Sequence, residues 1–180
     1  MELGQGYKMT DVGVIPDDWK LASLSKVTDP KRPISYGIVQ TGPNVANGVR
    51  CIRVVDIDNG KIHLDGLITT TEAISNSYKR TILRKGDLVM PLRGKVGDVA
   101  LVSEKLRGSN LTRGVALICI LIDMSPLFFK QYISFPTTRS RLEQEMNGSA
   151  LQEIPITVLR AFKVAFPSTK TEQEAIAEAL

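Results

Sequence analysis

The chain has 180 residues, with one histidine, His63, and two cysteines, Cys51 and Cys119. One imidazole argues against most zinc sites and against histidine-based acid–base catalysis, which need further ligands or partners. His63, within KIHLDG, reads as a strand-edge or turn residue. Both cysteines sit in apolar, strand-like runs and read as buried free thiols of a reducing cytosol. Long hydrophobic runs are lacking: the longest uncharged one, Val115 to Ile122, has eight residues, against about twenty for a membrane span. The opening MELGQGYKMTD has neither the basic head nor the apolar middle of a signal peptide. Neither charge sign dominates. A net charge of +4 permits nucleic-acid binding without requiring it. Charge blocks are absent, so any basic patch must be assembled by folding. Cofactor loops are missing as well: Gly94-Lys95 runs on into Val96, which is no Walker loop, and no glycine-rich dinucleotide fingerprint opens a helix. There is no Asn/Asp-Pro-Pro-aromatic run of the amino-group base methyltransferases.

What is present suits one globular domain with a real core: 43% apolar and 23% charged residues. Residues 11–20 read as an extended entry segment, and 21–27 as a strand. Residues 28–47 form a loop rich in Gly, Pro and Asn, with a β-prone island, YGIVQ, at 36–40. Val49 to Ile57 is a strand candidate, and Asn59-Gly60 is the strongest hairpin signal. Gly86-Asp87 marks a turn, followed by strand LVMPL, the glycine-framed loop RGKVG (93–97), strand DVALV and the buried strand 115–122. Ser125-Pro126 predicts a helix over 126–134. A second helix is expected over 138–146, closed by Asn147-Gly148. RAFKVAF (160–166) reads as a strand stopped by Pro167. A last helix follows, with Thr169/Glu172 or Thr171/Glu174 as a capping box. Its apolar face comprises Gln173, Ile176, Ala177 and Leu180. Only about ten of its residues are present, below the roughly 12–15 at which an isolated helix is marginal. Ile176 and Leu180 are therefore expected to pack on a partner helix, and the chain reads as a module with the root of a longer helix. The expected class is α+β, mostly β, with two or three helices and no internal repeat.

Two segments carry the donors, acceptors and close-approach backbone that DNA reading needs. The first holds Lys31, Arg32, Tyr36, Gln40, Asn44, Asn47, Arg50 and Arg53, with Gly37, Gly42 and Gly48 between them. Amide side chains suit adenine, and Arg or Lys suit guanine. The second is RGKVG, where Arg93 and Lys95 alternate with small residues, a pattern that suits phosphate contact. Each reads equally as an ordinary loop with solvated basic tips. Arg107, Asn110 and Arg113 form a third polar stretch, which could face DNA or link strands. Lys79, Arg80, Arg84 and Lys85 read as a solvated face. Arg139, Arg141 and Glu143 mix signs and read as an exposed helix face. Asp17, Asp29 and Lys31 offer a weak metal-nuclease pattern, weakened by Pro30, which a central strand would reject.

In order and spacing, GVIPDDW, YGIVQ, RVVDIDNGKI, ILRKGDLVMPLRGKVGDVALV and NGSALQEIPITVLRAFKVAFPSTKTEQEAIAEAL resemble the specificity subunit of type I restriction–modification systems. The resemblance covers about residues 10–180. It implies a target recognition domain over 1–166 and the start of a spacer helix over 167–180. It also implies a non-catalytic, cytoplasmic subunit that reads half of a split double-stranded DNA target. Separate methyltransferase and restriction subunits would be its partners and would carry S-adenosylmethionine, ATP and Mg²⁺; this chain would need no cofactor or metal. Family members typically carry two such domains and two long helices. One domain and a cut helix suggest a fragment, or a half-length subunit that self-associates. The alternatives are a metal-dependent nuclease and a helix-mediated protein-interaction module without DNA.

Overall fold

The computed structural model describes residues 5–147 and 151–180. A hairpin of β1 (Tyr7–Thr10) and β2 (Gly13–Pro16) leads to β3 (Lys20–Ser23). The expected strand over 21–27 ends early, because Leu24–Lys26 closes a 3-10 turn that buries Leu24. After the first long loop come β4 (Ser35–Tyr36) and β5 (Val49–Ile52). Residues 54–56 then make another 3-10 turn, held by the Asp56 carboxylate on the Arg53 N–H at 2.8 Å. The hairpin β6 (Ile57–Asp58) and β7 (Lys61–Ile62) turns on Asn59 and Gly60, whose φ values are 51° and 71°. That is the left-handed pair an Asn-Gly turn supplies.

β8 (Ile68–Thr70) and α1 (Glu72–Ser77) follow, then β9 (Leu88–Pro91), β10 (Ala100–Leu101), β11 (Asn110–Leu111) and β12 (Val115–Ile118). α2 (Pro126–Ser134) matches its expected bounds, with the Ser125 hydroxyl accepting the Phe128 N–H at 3.3 Å. α3 (Pro136–Gln144) starts earlier than expected, because Pro136 takes its first position and holds Phe135 extended. The expected strand over 160–166 is divided between α4 (Ile156–Ala161) and β13 (Lys163–Phe166). α5 (Lys170–Ala179) is capped by the Thr169 hydroxyl accepting the Glu172 N–H at 3.3 Å. The class is α+β as expected, with five helices among the described residues rather than two or three. The expected Asn147-Gly148 cap falls partly outside the described residues.

The central sheet runs β10-β9-β12-β4. Its two middle strands are apolar on both faces because both faces are covered. Leu88, Met90 and Leu92 of the β9 run, with Ala116 and Ile118 of β12, pack against Phe128, Phe129, Leu142, Leu159 and Ala177 from the helices. The intervening Val89, Val115 and Leu117 pack against Ile52 and Leu111 of the three-stranded sheet β11-β5-β8. Period-two alternation thus feeds two cores from one strand pair. Pro91 is tolerated in β9 because β10 pairs only with Leu88 and Val89. β5 and β11 pair in parallel, Cys51 with Asn110. β13 closes on β3. α5 is tied to α2 by Gln173, which is buried: its side-chain oxygen accepts the Ser125 N–H at 2.9 Å and its amide donates to the Pro167 carbonyl at 3.0 Å.

Candidate nucleic-acid interface

One end of the central sheet gathers parts of all three polar stretches. The Ile38 N–H donates to the Leu111 carbonyl at 2.7 Å, and the Arg113 N–H donates to the Ile38 carbonyl at 2.8 Å. The approach requires glycine: a Cβ on Gly37 would lie 2.0 Å from the Leu111 carbonyl oxygen. Across β12, the Leu92 N–H donates to the Gly114 carbonyl at 2.8 Å. The Arg93 side chain reaches the Gly114 backbone, next to Arg113: a Cβ on Gly114 would lie 3.4 Å from the Arg93 Nε. Tyr36, paired with Ala116 by backbone, and Gln40 are exposed on the adjoining segment. Arg113 is half exposed and pairs with Glu153 at 3.7 Å.

The RGKVG loop leaves from this end. Gly94 and Gly97 have φ of 71° and 84°, and a Cβ on Gly97 would meet Arg139 Cγ at 2.5 Å. Lys95 pairs with Asp58 of the β6–β7 hairpin. That ammonium group holds the Asp58 carboxyl below the usual carboxylate range.

Other expected readers are committed elsewhere. Arg32 is buried, and its guanidinium forks onto Asp87 at 2.6 and 2.8 Å while donating to the Ile82 carbonyl at 2.9 Å. Burial alone would lower its pKa, but the Asp87 carboxylate more than offsets this, and the group is held above its ordinary value. Arg32 is thus a core ion pair and no DNA reader. Arg53 is likewise spent on Asp56 at 2.7 and 3.0 Å and on the Gly66 carbonyl at 3.0 Å. The Asn44 side-chain oxygen accepts the Thr69 N–H at 3.0 Å, and Asn47 supplies a left-handed turn with φ of 57°. Arg50 donates to the Lys105 carbonyl, and exposed Arg107 pairs with Glu104 at 2.8 Å. Asn110, buried, bonds to Thr81 and Ser75 at 2.7 and 3.0 Å. Lys31 is exposed beside a separate recess.

The nuclease alternative finds no support. Asp29 accepts the Lys31 backbone N–H at 2.8 Å, closing its own turn. Among the described residues no group of three or more His, Cys, Asp or Glu could hold a metal ion. Cys51 is buried, and burial pushes its thiol up to about 11. Cys119 is only partly buried, and desolvation raises its thiol too.

Arg160 was not legible as a site residue. From α4 it donates to the Ile34 carbonyl through Nε at 2.9 Å and Nη2 at 2.6 Å, pinning the start of the Tyr36–Gln40 segment. No local signal could reveal a bond spanning 126 residues. Arg141, expected on an exposed face, stacks on Phe162 at 4.5 Å and donates to the Lys163 carbonyl at 2.9 Å.

A second surface surrounds the root of α5. Val14, Trp19, Tyr132, Phe135, Ile176 and Leu180 are among the residues lining an apolar groove of about 360 Å³. Gln131 also lines it, and its side-chain oxygen is buried without a hydrogen-bond partner among the described residues. Leu180 is 80% exposed.

Residues 16–180 match the type I restriction modification DNA specificity domain. The chain belongs to that family. It is 30% identical over 167 residues to the type I restriction enzyme EcoBI specificity subunit of Escherichia coli, covering 91% of this chain and 34% of that protein. It is 25% identical over 185 residues to the MjaVIII specificity subunit of Methanocaldococcus jannaschii, covering 98% of this chain and 42% of that protein. The chain therefore spans about a third to two fifths of these relatives. Its fold is similar to that of a chain in a structure of the type I R-M system, with a TM-score of 0.67 at 16% identity, covering 92% of this chain and 38% of that one. It is also similar to the HsdS subunit from Thermoanaerobacter tengcongensis, with a TM-score of 0.60 at 14% identity, covering 97% and 39%.

Proposed function

We propose that this specificity domain reads duplex DNA at the sheet end where Tyr36, Gln40, Arg93 and Arg113 meet, and that it catalyses nothing itself. The observation that carries this reading is the backbone lacing of residues 37–38 to 111–113 and of 92 to 114. It holds an aromatic ring, an amide and two guanidinium groups on one rigid edge. Arg93 and Arg113 suit guanine edges or phosphates, and Gln40 suits adenine. Lys95 suits a phosphate as a point charge, once released from Asp58. The domain would read half of a split target and direct separate methyltransferase and restriction subunits. Those subunits would carry S-adenosylmethionine, ATP and Mg²⁺ and would work in the cytoplasm. Among the described residues no helix is long and apolar enough to cross a membrane, which fits this setting.

The groove around Ile176 and Leu180 supports a continuation or partner helix packed at the root of α5, with self-association as one form of it. A donor from that helix would satisfy the Gln131 side-chain oxygen.

The test is duplex binding measured over a range of salt. A few phosphate contacts give a log–log slope of about −0.9 per contact, with affinity near the nonspecific range of roughly 10⁻⁴–10⁻⁶ M for one half-site. Arg93→Ala should weaken binding and flatten the slope. Salt-independent binding, or an unchanged Arg93→Ala variant, counts against the reading.

A further inference from the structure

We infer that the opposite end of the central sheet is a docking site for an acidic segment of a protein partner, one that sets carboxylates beside an apolar side chain. Residues 84–87, entering β9, and 119–122, leaving β12, flank a recess of about 560 Å³. Lys31, Arg84, Lys85 and Lys170 line it together with Asp29, whose carboxylate accepts the Lys31 backbone N–H at 2.8 Å. Arg32 and Asp87, also in its wall, neutralise each other. Among the described residues Lys31, Arg84 and Lys85 lie in no ion pair. Lys170 donates to the Ile122 carbonyl at 3.0 Å and reaches Glu174 only at 3.9 Å. At the rim Ile122 is 94% exposed.

Three features select a protein over DNA. Asp87 and Arg93 stand at opposite ends of the β9 run. At about 3.3 Å per residue the recess lies roughly 20 Å from the proposed reading edge. Its cations line a single hollow of about 560 Å³, whereas phosphate contacts track a backbone. The bare isoleucine at the rim adds nothing to a phosphate contact but gives a protein partner an apolar anchor. Arg84 can fork onto a carboxylate, and Lys31 and Lys85 steer the encounter. Lys170 lies in the first turn of α5, so an occupied recess is coupled to the root of that helix.

The experiment uses the 180-residue chain and a fluorescent synthetic peptide with two glutamates on each side of a leucine. Its glutamine counterpart, inorganic phosphate and duplex DNA serve as competitors. Binding of the acidic peptide is expected to weaken about ten-fold or more in Lys31→Glu/Arg84→Glu, and measurably in Ile122→Asp, with Arg93→Glu unaffected. Lys85→Glu is the second variant should the double one lose its far-UV circular dichroism. Duplex binding should be reduced by Arg93→Glu far more than by the recess variants. The proposal is overturned if the glutamine peptide binds equally, or if phosphate competes as well as peptide while Ile122→Asp has no effect. It is overturned too if the recess variants impair duplex binding as much as Arg93→Glu. Failure of the reading edge appears separately, as duplex binding indifferent to Arg93.

Discussion

Asp87→Ala tests whether Arg32 is structural. The Asp87 carboxylate accepts both Arg32 guanidinium N–H groups at 2.6 and 2.8 Å and the Arg84 backbone N–H at 2.7 Å. Asp87 is 3% exposed and Arg32 is 8% exposed. Removing the carboxylate leaves a buried guanidinium with the Ile82 carbonyl and the Cys119 sulfur as its remaining partners among the described residues. Breaking one side of such a pair costs about 3–5 kcal/mol. That is a large share of a typical total of about 5–15 kcal/mol. With a urea m-value of roughly 2 kcal/mol/M, the midpoint should fall by about 2 M. Arg32→Met/Asp87→Leu should recover much of the loss, since a packed apolar pair avoids the desolvation cost of two charges. The assay is urea unfolding followed by circular dichroism, with m-values compared. A loss below about 1 kcal/mol at unchanged m would refute the argument, because it would place Arg32 in water. A surviving Arg32→Ala fold with selectively lost base preference would refute it too.

Gly37→Ala forces the Leu111 carbonyl away and opens two backbone bonds; a cost of about 2 kcal/mol, or roughly 4–8 °C in a thermal melt, is expected, with faster amide exchange at Ile38 and Arg113. Asp58→Asn frees Lys95; it should tighten DNA binding and steepen the salt slope by up to about one, whereas Lys95→Ala should weaken all sequences alike. Because Lys95 holds the Asp58 carboxyl low, this pair is present at neutral pH and is lost only as pH falls through that depressed value; equal DNA binding by Asp58→Asn and the parent at pH 7 would sink the idea. Cys51, with its thiol near 11, should resist alkylation at pH 8 until urea unfolds the chain; rapid labelling of the native protein would contradict its burial.

The parts legible from sequence are those whose signal is local. Ser125-Pro126 set the start of α2, Asn59-Gly60 set the β6–β7 turn, and Thr169 set the start of α5. The apolar runs at 88–92 and 115–118 read as buried because each strand supplies side chains to a core on either side. RAFKVAF misled because apolar content cannot choose between a helix end and a strand. The division falls at Phe162, whose N–H still bonds back to the Leu159 carbonyl at 3.3 Å. The parallel pairing of β5 with β11 and the fork of Arg160 on Ile34 join residues far apart in the chain and leave no periodic trace.

The roles of the basic residues were the least legible, for a definite physical reason. An arginine within a glycine-rich stretch has the same composition whether it awaits a phosphate or fills a core ion pair. Only the position of a carboxylate decides, and Asp87 lies 55 residues from Arg32. Arg53 shows the local version: Asp56, three residues on, takes its fork. That spacing was visible in RVVD but carries little weight before the intervening turn is known. Of the expected readers on the two loops, Tyr36, Gln40 and Arg93 are left beside Arg113 by backbone bonds that none of them makes with its own side chain. A DNA reader whose donors make few strong bonds in the free protein has less to break on binding, so the useful observation is which polar side chains the fold leaves least committed at one edge. By that criterion Arg93 and Arg113 outrank Asn44 and Arg53, and a base-preference assay on Gln40→Ala against Asn44→Ala should separate them. Gln40→Ala should relax preference at about 1–3 kcal/mol for a bidentate contact. Asn44→Ala should act through the Thr69 bond, lowering stability with base preference intact.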